Sequence, residues 1–199
     1  GPGDFKTLAK RTRNPAGPGF DELTQQPIAR GISPNDYPGN FGEFMKQRDK
    51  SKPFCFWMGF HEPHRQYEWN SGVRLGKKLE DVQVPKFLPD TEIVRRDLLD
   101  YSVEVEWGDT QIGRALKVLE DSGELDNTLI AVTSDHGMPF PRSKGNANAM
   151  ANHVPFAAMW KRGIAKPGRV IDDFISFIDV APTFMELAGL KWSETGMAA

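Results

Sequence analysis

Apolar positions along this chain change their spacing several times, and each spacing predicts a different element. Between residues 92 and 121 they fall at Val94, Leu98, Tyr101, Val105, Ile112, Leu116 and Leu119. Steps of three and four, with one gap at Gly108 and Asp109, predict a long amphipathic helix with this stripe toward the core, kinked at Gly108 and Asp109 or recapped at Asp109. "FGEFMKQRD" (41–49) carries a shorter version, with Phe41, Phe44, Met45 and Arg48 on adjoining turns. "PFCFWMGF" (53–60) is instead a continuous apolar and aromatic run bounded by Pro53 and Gly59, the pattern of a strand buried on both faces. After the turn "SGELDN", further strands are predicted at 128–133 and at "PFAAMW" (155–160). A last helix is predicted over 179–190, with Asp179 as its cap, Pro182 in its first turn and Gly189 just past its end. The order strand, helix, strand, loop, strand predicts an α/β fold: a doubly wound, mostly parallel sheet flanked by helices.

Residues 1–42 break every period. They carry Pro2, Pro15, Pro18, Pro27, Pro34 and Pro38 among many glycines, which predicts a loop-rich covering segment over 1–45 and leaves 46–199 as the α/β domain, incomplete in this chain. A length of 199 residues with 39% hydrophobic composition suits one domain rather than two. Charge narrows the partners: 25 basic against 27 acidic residues leave no basic stripe for a phosphate backbone, so no nucleic acid is expected. No apolar run reaches the roughly 18–20 residues that cross a bilayer, so no membrane partner is expected. The single cysteine, Cys55, excludes an internal disulfide and a multi-cysteine zinc site. Flanked by Phe54, Phe56 and Trp57, it is expected to be an inert core thiol.

Candidate chemistry gathers where two predicted strands end. "PFCFWMGF" runs into His61, Glu62, Pro63, His64 and Arg65, and "TLIAVTS" runs into Asp135, His136 and Gly137, with Lys144 and His153 following. In open α/β sheets ligands bind beyond the carboxyl ends of the strands, so parallel strands would put both clusters at one edge. Asp135 and His136 offer an oxygen and a nitrogen to a divalent metal, and Lys144 and His64 offer cationic donors to a tetrahedral anion such as sulfate or phosphate. A plainer reading stands beside this one. Asp135 would cap a turn, Lys144 would be solvated, and His64 would bond a backbone carbonyl. His61 and His153 are secondary candidates, each equally a ligand or an oriented turn residue.

Five blocks, "FHEPHR", "IGRALKVLEDSGELDNTLIAVTSDHG", "SKGN", "HVPFAAMW" and "FIDVAPTFMELAGL", in this order and spacing, resemble the sulfatases of the alkaline phosphatase superfamily. The resemblance covers most of 53–190, and the opening "GPGDF" and "RTRNPAGPGF" looks like bacterial members related to heparan and glycosaminoglycan sulfatases. It implies an alkaline-phosphatase-like fold, Asp135 as a ligand of a Ca²⁺ ion, His136 as the next metal-site position, and Lys144 and His64 as sulfate contacts. It gives His153 no counterpart. The family nucleophile is a formylglycine made from cysteine in C-x-P-S-R or C-x-A-x-R; neither motif occurs here, and Cys55 in "FCFWM" is not that residue. Nor do the paired-Asp strand, the Lys/His pair or the smaller C-terminal sheet domain occur.

The resemblance therefore implies the central and later part of a sulfatase catalytic domain within a longer protein. That parent would hydrolyse sulfate esters, with glycans as candidate substrates, in the periplasm or outside the cell. The isolated 199 residues are expected to be inactive. Two alternatives remain open at this stage: a phosphoryl or phosphonate ester hydrolase of the same superfamily, and a non-catalytic metal- or glycan-binding remnant. Oligomeric state is not readable.

Overall fold

The structure is a computed structural model that describes residues 17–191. The readings made on the opening residues 1–16 lie outside that range. Five helices and two strands follow in chain order: α1 (Tyr37–Gln47), α2 (Ser71–Arg74), α3 (Glu92–Asp121), β1 (Ile130–Thr133), α4 (Ala149–Asn152), β2 (Phe156–Met159) and α5 (Val180–Leu187).

The axis of the fold is α3, 30 residues without interruption. The Thr91 hydroxyl caps it by accepting from the Val94 N–H, and Gly108 and Asp109 neither interrupt nor recap it. Glycine in a helix interior costs about 1 kcal/mol, which packing along the rest of the helix offsets. The face turned deepest into the protein is not the predicted stripe. Buried positions are Leu99, Asp100, Val103, Glu104, Gln111 and Leu119, while Val105 is exposed. Three of these six are polar, so an apolar count displaced the stripe around the helix.

The Asp36 carboxylate caps α1 by accepting from the Gly39 N–H, and Pro38, which has no N–H to lose, lies in the first turn. Four residues therefore join the helix ahead of the predicted start at 41. From it Phe41 and Met45 meet Leu119 of α3, with Phe44, Phe54, Phe56 and Met58 packed around them. A second apolar cluster, Ala29, Ile32, Val103 and Trp107, lies nearer the middle of α3. Short α2 sits so close to α3 that a Cβ on Gly72 would lie 2.5 Å from Leu99 Cβ. Buried Asp100 joins the two helices by accepting from the N–H groups of Asn70 and Gly72, each at 2.8 Å, and from the Ser71 hydroxyl at 3.2 Å.

Residues 53–60 correct the sequence reading. They are extended but form no ladder, and burial alternates. Phe54, Phe56 and Met58 pack inward, whereas Cys55 and Trp57 face out, Trp57 at 88% exposure. Cys55 is thus an exposed thiol and not a core residue. A run apolar on both faces needs neighbours on both, and here only the inward face is packed, in the cluster around Phe41, Met45 and Leu119.

The strands β1 and β2 do pair, antiparallel, in the register Ile130 with Met159 through Thr133 with Phe156. A mostly parallel sheet was the expectation for the whole domain; this part of it holds an antiparallel pair, two strands joined by the 134–155 loop. Near the C-terminus, α5 follows a single 3₁₀ turn whose Asp179 carboxylate accepts from the Ser176 N–H in a capping box, and Gly189 (φ 75°) ends it as expected.

Candidate functional site

Two loops carry the candidate chemistry. The 61–68 loop is held from below by Glu62, which is buried. One carboxylate oxygen accepts from the Ser33 N–H (2.6 Å) and the other from the Tyr37 hydroxyl (2.9 Å), whose oxygen in turn accepts from the His61 N–H (3.0 Å). Burial raises the Tyr37 phenol above its ordinary range, which suits a hydroxyl used as a donor. Glu62 and His61 are therefore tied to the cap of α1. The rings of His61 and His64 stand 5.3 Å apart, both exposed. His64 Nδ1 lies 2.6 Å from the Arg65 carbonyl oxygen, so that nitrogen carries the hydrogen and Nε2 faces outward.

The 134–155 loop folds on itself around Gly137. Its N–H donates to the Ala151 carbonyl (2.8 Å), and a Cβ there would run into the Met150 carbonyl oxygen at well under 3 Å, so only glycine fits the turn. Ser143, fully buried, donates its hydroxyl to the same Met150 carbonyl, and the Lys144 N–H donates to the Met138 carbonyl (3.2 Å). Lys144 itself is exposed, and among the described residues its ammonium has no partner. His153, also exposed, closes the short α4 as its C-cap.

Asp135 and His136 adjoin each other in an informative way. His136 Nδ1 lies 2.8 Å from the Gly137 carbonyl oxygen and must donate to it, which in the neutral ring leaves Nε2 as the lone-pair nitrogen. That Nε2 stands 3.4 Å from Asp135 Oδ2, on a carboxylate that is 86% exposed. Two acceptors facing each other need a proton or a cation between them. Among the described residues no group of three or more His, Cys, Asp or Glu side chains is assembled to hold a metal ion. The pair fits part of a divalent ion's shell, with one hard oxygen and one nitrogen.

One side chain that sequence reasoning passed over joins the loops. Arg65 donates Nε–H to the Pro139 carbonyl (3.0 Å) and forks Nη1 and Nη2 onto the two oxygens of Asp97 on α3 (2.9 and 2.6 Å). Its guanidinium also lies over the rings of Tyr67 (5.0 Å) and Phe140 (4.7 Å). Arg65 thereby fastens the 61–68 loop to the 134–155 loop at Pro139 and Phe140, while no side-chain contact joins His64, Lys144 and the Asp135–His136 pair among the described residues. Arg65 was visible in "PHR", directly after a candidate histidine, but its aromatic and carboxylate partners lie in other elements. Beside this junction Arg65, Tyr67, Trp69, Ile93 and Asp97 line an open cavity of about 470 Å³.

Comparison with known proteins fits this layout. Residues 6–190 match the Sulfatase family. The chain is 29% identical over 165 residues to human N-sulphoglucosamine sulphohydrolase, covering 72% of this chain and 33% of that protein. It is 30% identical over 180 residues to an ulvan-active sulfatase of Formosa agariphila, covering 85% and 33%. The chain thus spans about a third of the length of the curated relatives it matches. A solved structure titled for the metabolism of multiple glycosaminoglycans by Bacteroides thetaiotaomicron shares the fold, with a TM-score of 0.68 at 22% identity over 82% of this chain and 37% of that one. The α/β architecture that the sequence predicts is therefore the alkaline-phosphatase-like one, seen here in part. With the family match running through both candidate loops and the helix that fastens them, the chain belongs to the sulfatase family.

Proposed function

We propose that the protein carrying this chain hydrolyses sulfate esters of sulfated glycans, and that these residues supply its sulfate contacts and part of its metal shell. The observation that carries the reading is the Asp135–His136 pair, whose ring Nε2, a lone-pair nitrogen in the neutral imidazole, stands 3.4 Å from an exposed carboxylate oxygen. A cation reconciles the two, and Asp135 would hold it as Ca²⁺, a hard ion suited to carboxylate oxygen. His136 would orient the carboxylate or complete the shell. The family uses a metal ion and a formylglycine nucleophile; when bound, the metal offsets charge on the sulfate oxygens.

The chain's own residues then do the following. The unpaired Lys144 ammonium sits where the folded 134–155 loop presents it to solvent and binds a sulfate oxygen as a point charge. His64, having given its Nδ1 hydrogen to the Arg65 carbonyl, donates to a second oxygen from Nε2, which requires the doubly protonated ring. Both contacts oppose the negative charge that grows as the S–O ester bond breaks. His61 and His153 take no sulfate contact in this reading: His61 orders the 61–68 loop through its backbone, and His153 caps α4. Cys55 is not the nucleophile, since no C-x-P-S-R or C-x-A-x-R motif surrounds it. Formylglycine would come from outside these 199 residues, so the isolated chain turns over no aryl sulfate. Names of relatives that act on N-sulphoglucosamine and on ulvan support a glycan substrate, and a periplasmic or extracellular location goes with a polysaccharide substrate. No helix among the described residues is long and apolar enough to cross a membrane.

The test is hydrolysis of an aryl sulfate and of a sulfated oligosaccharide by the protein that carries the chain, with the matching phosphate ester as control. Sulfate release that falls at least about a hundredfold in Lys144→Ala and Asp135→Ala, and that calcium restores after chelation, is the expected outcome. Preference for the phosphate ester, or unchanged sulfate release in both variants, refutes it.

A further inference from the structure

The side of α3 turned toward the 61–68 loop holds a carboxyl group with nothing to bond. Glu104 is 2% exposed, and among the described residues neither of its oxygens has a hydrogen-bond partner. The buried indole N–H of Trp107, one turn further on, is also unpartnered. A bare carboxylate in such a place is strongly disfavoured. What the loop presents to it makes an anion worse still. A Cβ placed on Gly31 (φ 98°) would lie 3.1 Å from Glu104 Oε1 and well under 3 Å from the Gln66 carbonyl oxygen, so these two acceptors converge beside one glycine. Glu62, the other buried carboxyl of this region, has its two oxygens supported by the Ser33 N–H and the Tyr37 hydroxyl. Glu104 has no such donor.

We propose that Glu104 is a positioning residue for the loop that carries His64: a neutral carboxylic acid that directs its O–H toward the Gln66 carbonyl and holds the loop on α3 until it ionises. Burial, and after it the negative charge of Glu62, pushes the Glu104 pKa up to about 8. The titratable groups that bear on it are Glu62 and Tyr67, both in the loop, and the 28–33 segment meets it with the backbone of Gly31. None of these offers a positive charge. A proton is therefore what makes the contact between α3 and the loop attractive, and its loss places an anion against a carbonyl dipole.

The inference rests on the sulfatase reading only for what the loop does, so its test leaves activity aside. In the full chain labelled with ¹³C at glutamate Cδ, one carboxyl should titrate near pH 8, apart from the others, and should vanish from the spectrum in Glu104→Gln. Hydrogen exchange at amides 61–68, corrected for the intrinsic rate, should accelerate at least about tenfold across the same titration in the wild type. Glu104→Gln, which keeps a donor and cannot ionise, should stay protected at every pH, and Glu104→Ala should be unprotected at every pH. A wild type whose glutamates all titrate in the ordinary range overturns the proposal, whether or not the variants fold. So does a Glu104→Gln loop with the wild-type pH dependence. Either result would leave the assignment of Lys144 and Asp135 untouched.

Discussion

Replacing Arg65 by Met keeps the length of the side chain and removes its fork, and the structure sets what should be lost. The two bonds to Asp97 are charge-assisted and bidentate, but the Arg65 side chain is 40% exposed and that of Asp97 28%, so solvent screening brings the pair down to about 1 kcal/mol. The Nε bond to the Pro139 carbonyl adds about 1 kcal/mol. Placement over the Tyr67 and Phe140 rings adds about 0.5 kcal/mol for each. The expected loss is therefore about 3 kcal/mol, or less by the packing that Met retains. Urea unfolding of Arg65→Met, Asp97→Asn and the double variant measures it and isolates the pair, whose coupling should come out near 1 kcal/mol. Arg65→Lys keeps the charge without the planar fork and should recover less than half of the loss. If Arg65→Met costs under about 0.5 kcal/mol, or its effect simply adds to that of Asp97→Asn, then Arg65 is a solvated surface residue and the reasoning about the two loops fails.

Three further outcomes follow from the same geometry. Asp100→Ala strands the half-buried N–H of Asn70 and the buried N–H of Gly72 and should cost about 3 kcal/mol in thermal or urea unfolding, whereas Asp100→Asn, which keeps an acceptor, should cost markedly less. Gly137→Ala forces a methyl group against the Met150 carbonyl and should destabilise the 134–155 loop by about 2–4 kcal/mol, read as lost amide protection at Gly137 and Ala151. For Glu104 the linkage sign is set by a folded pKa of about 8 above the ordinary 4.5. The folded chain holds a proton that the unfolded chain releases, so this group's contribution is complete below pH 4.5, declines through the window up to about 8, and is flat beyond it. The total change is at most about 5 kcal/mol, and unfolding measured from pH 4 to 9 should lose that slope in Glu104→Gln.

Helix α3 was legible in its bounds, because three- and four-step spacing on both sides of the gap at Gly108 and Asp109 marks one helical stretch over 92–121. The identity of its inner face was not. Asp100, Glu104 and Gln111 count as polar in any hydropathy pattern, yet partners on α2 and on the 17–36 segment draw Asp100 and Gln111 inward. The strands at 128–133 and 155–160 were readable from β-branched and apolar composition, but their direction was not, since direction depends on what pairs with what. "PFCFWMGF" misled for the same reason: an apolar run states what a segment tolerates on each face, while neighbours decide which face is covered. The candidate loops, at strand or extended-segment ends, were found by spacing alone. The junction between them, made by Arg65, Asp97 and Pro139, involves separations of 32 and 74 residues that no local pattern encodes.

The two apolar clusters sit at separate places along one rod. Ala29, Ile32 and Trp107 gather around Val103, while Phe41 and Met45 gather around Leu119. Between them α3 is narrow and polar: Gly108 and Gly113 add no side-chain bulk, and Gln111 Oε1 accepts hydrogen bonds from Gln25 and Arg114. Sixteen positions of helix, about 24 Å at 1.5 Å per residue, separate Val103 from Leu119. Substitutions of Val103 and of Leu119 should then combine as independent increments, while the loop around His64 stays coupled to α1 through Glu62 and Tyr37.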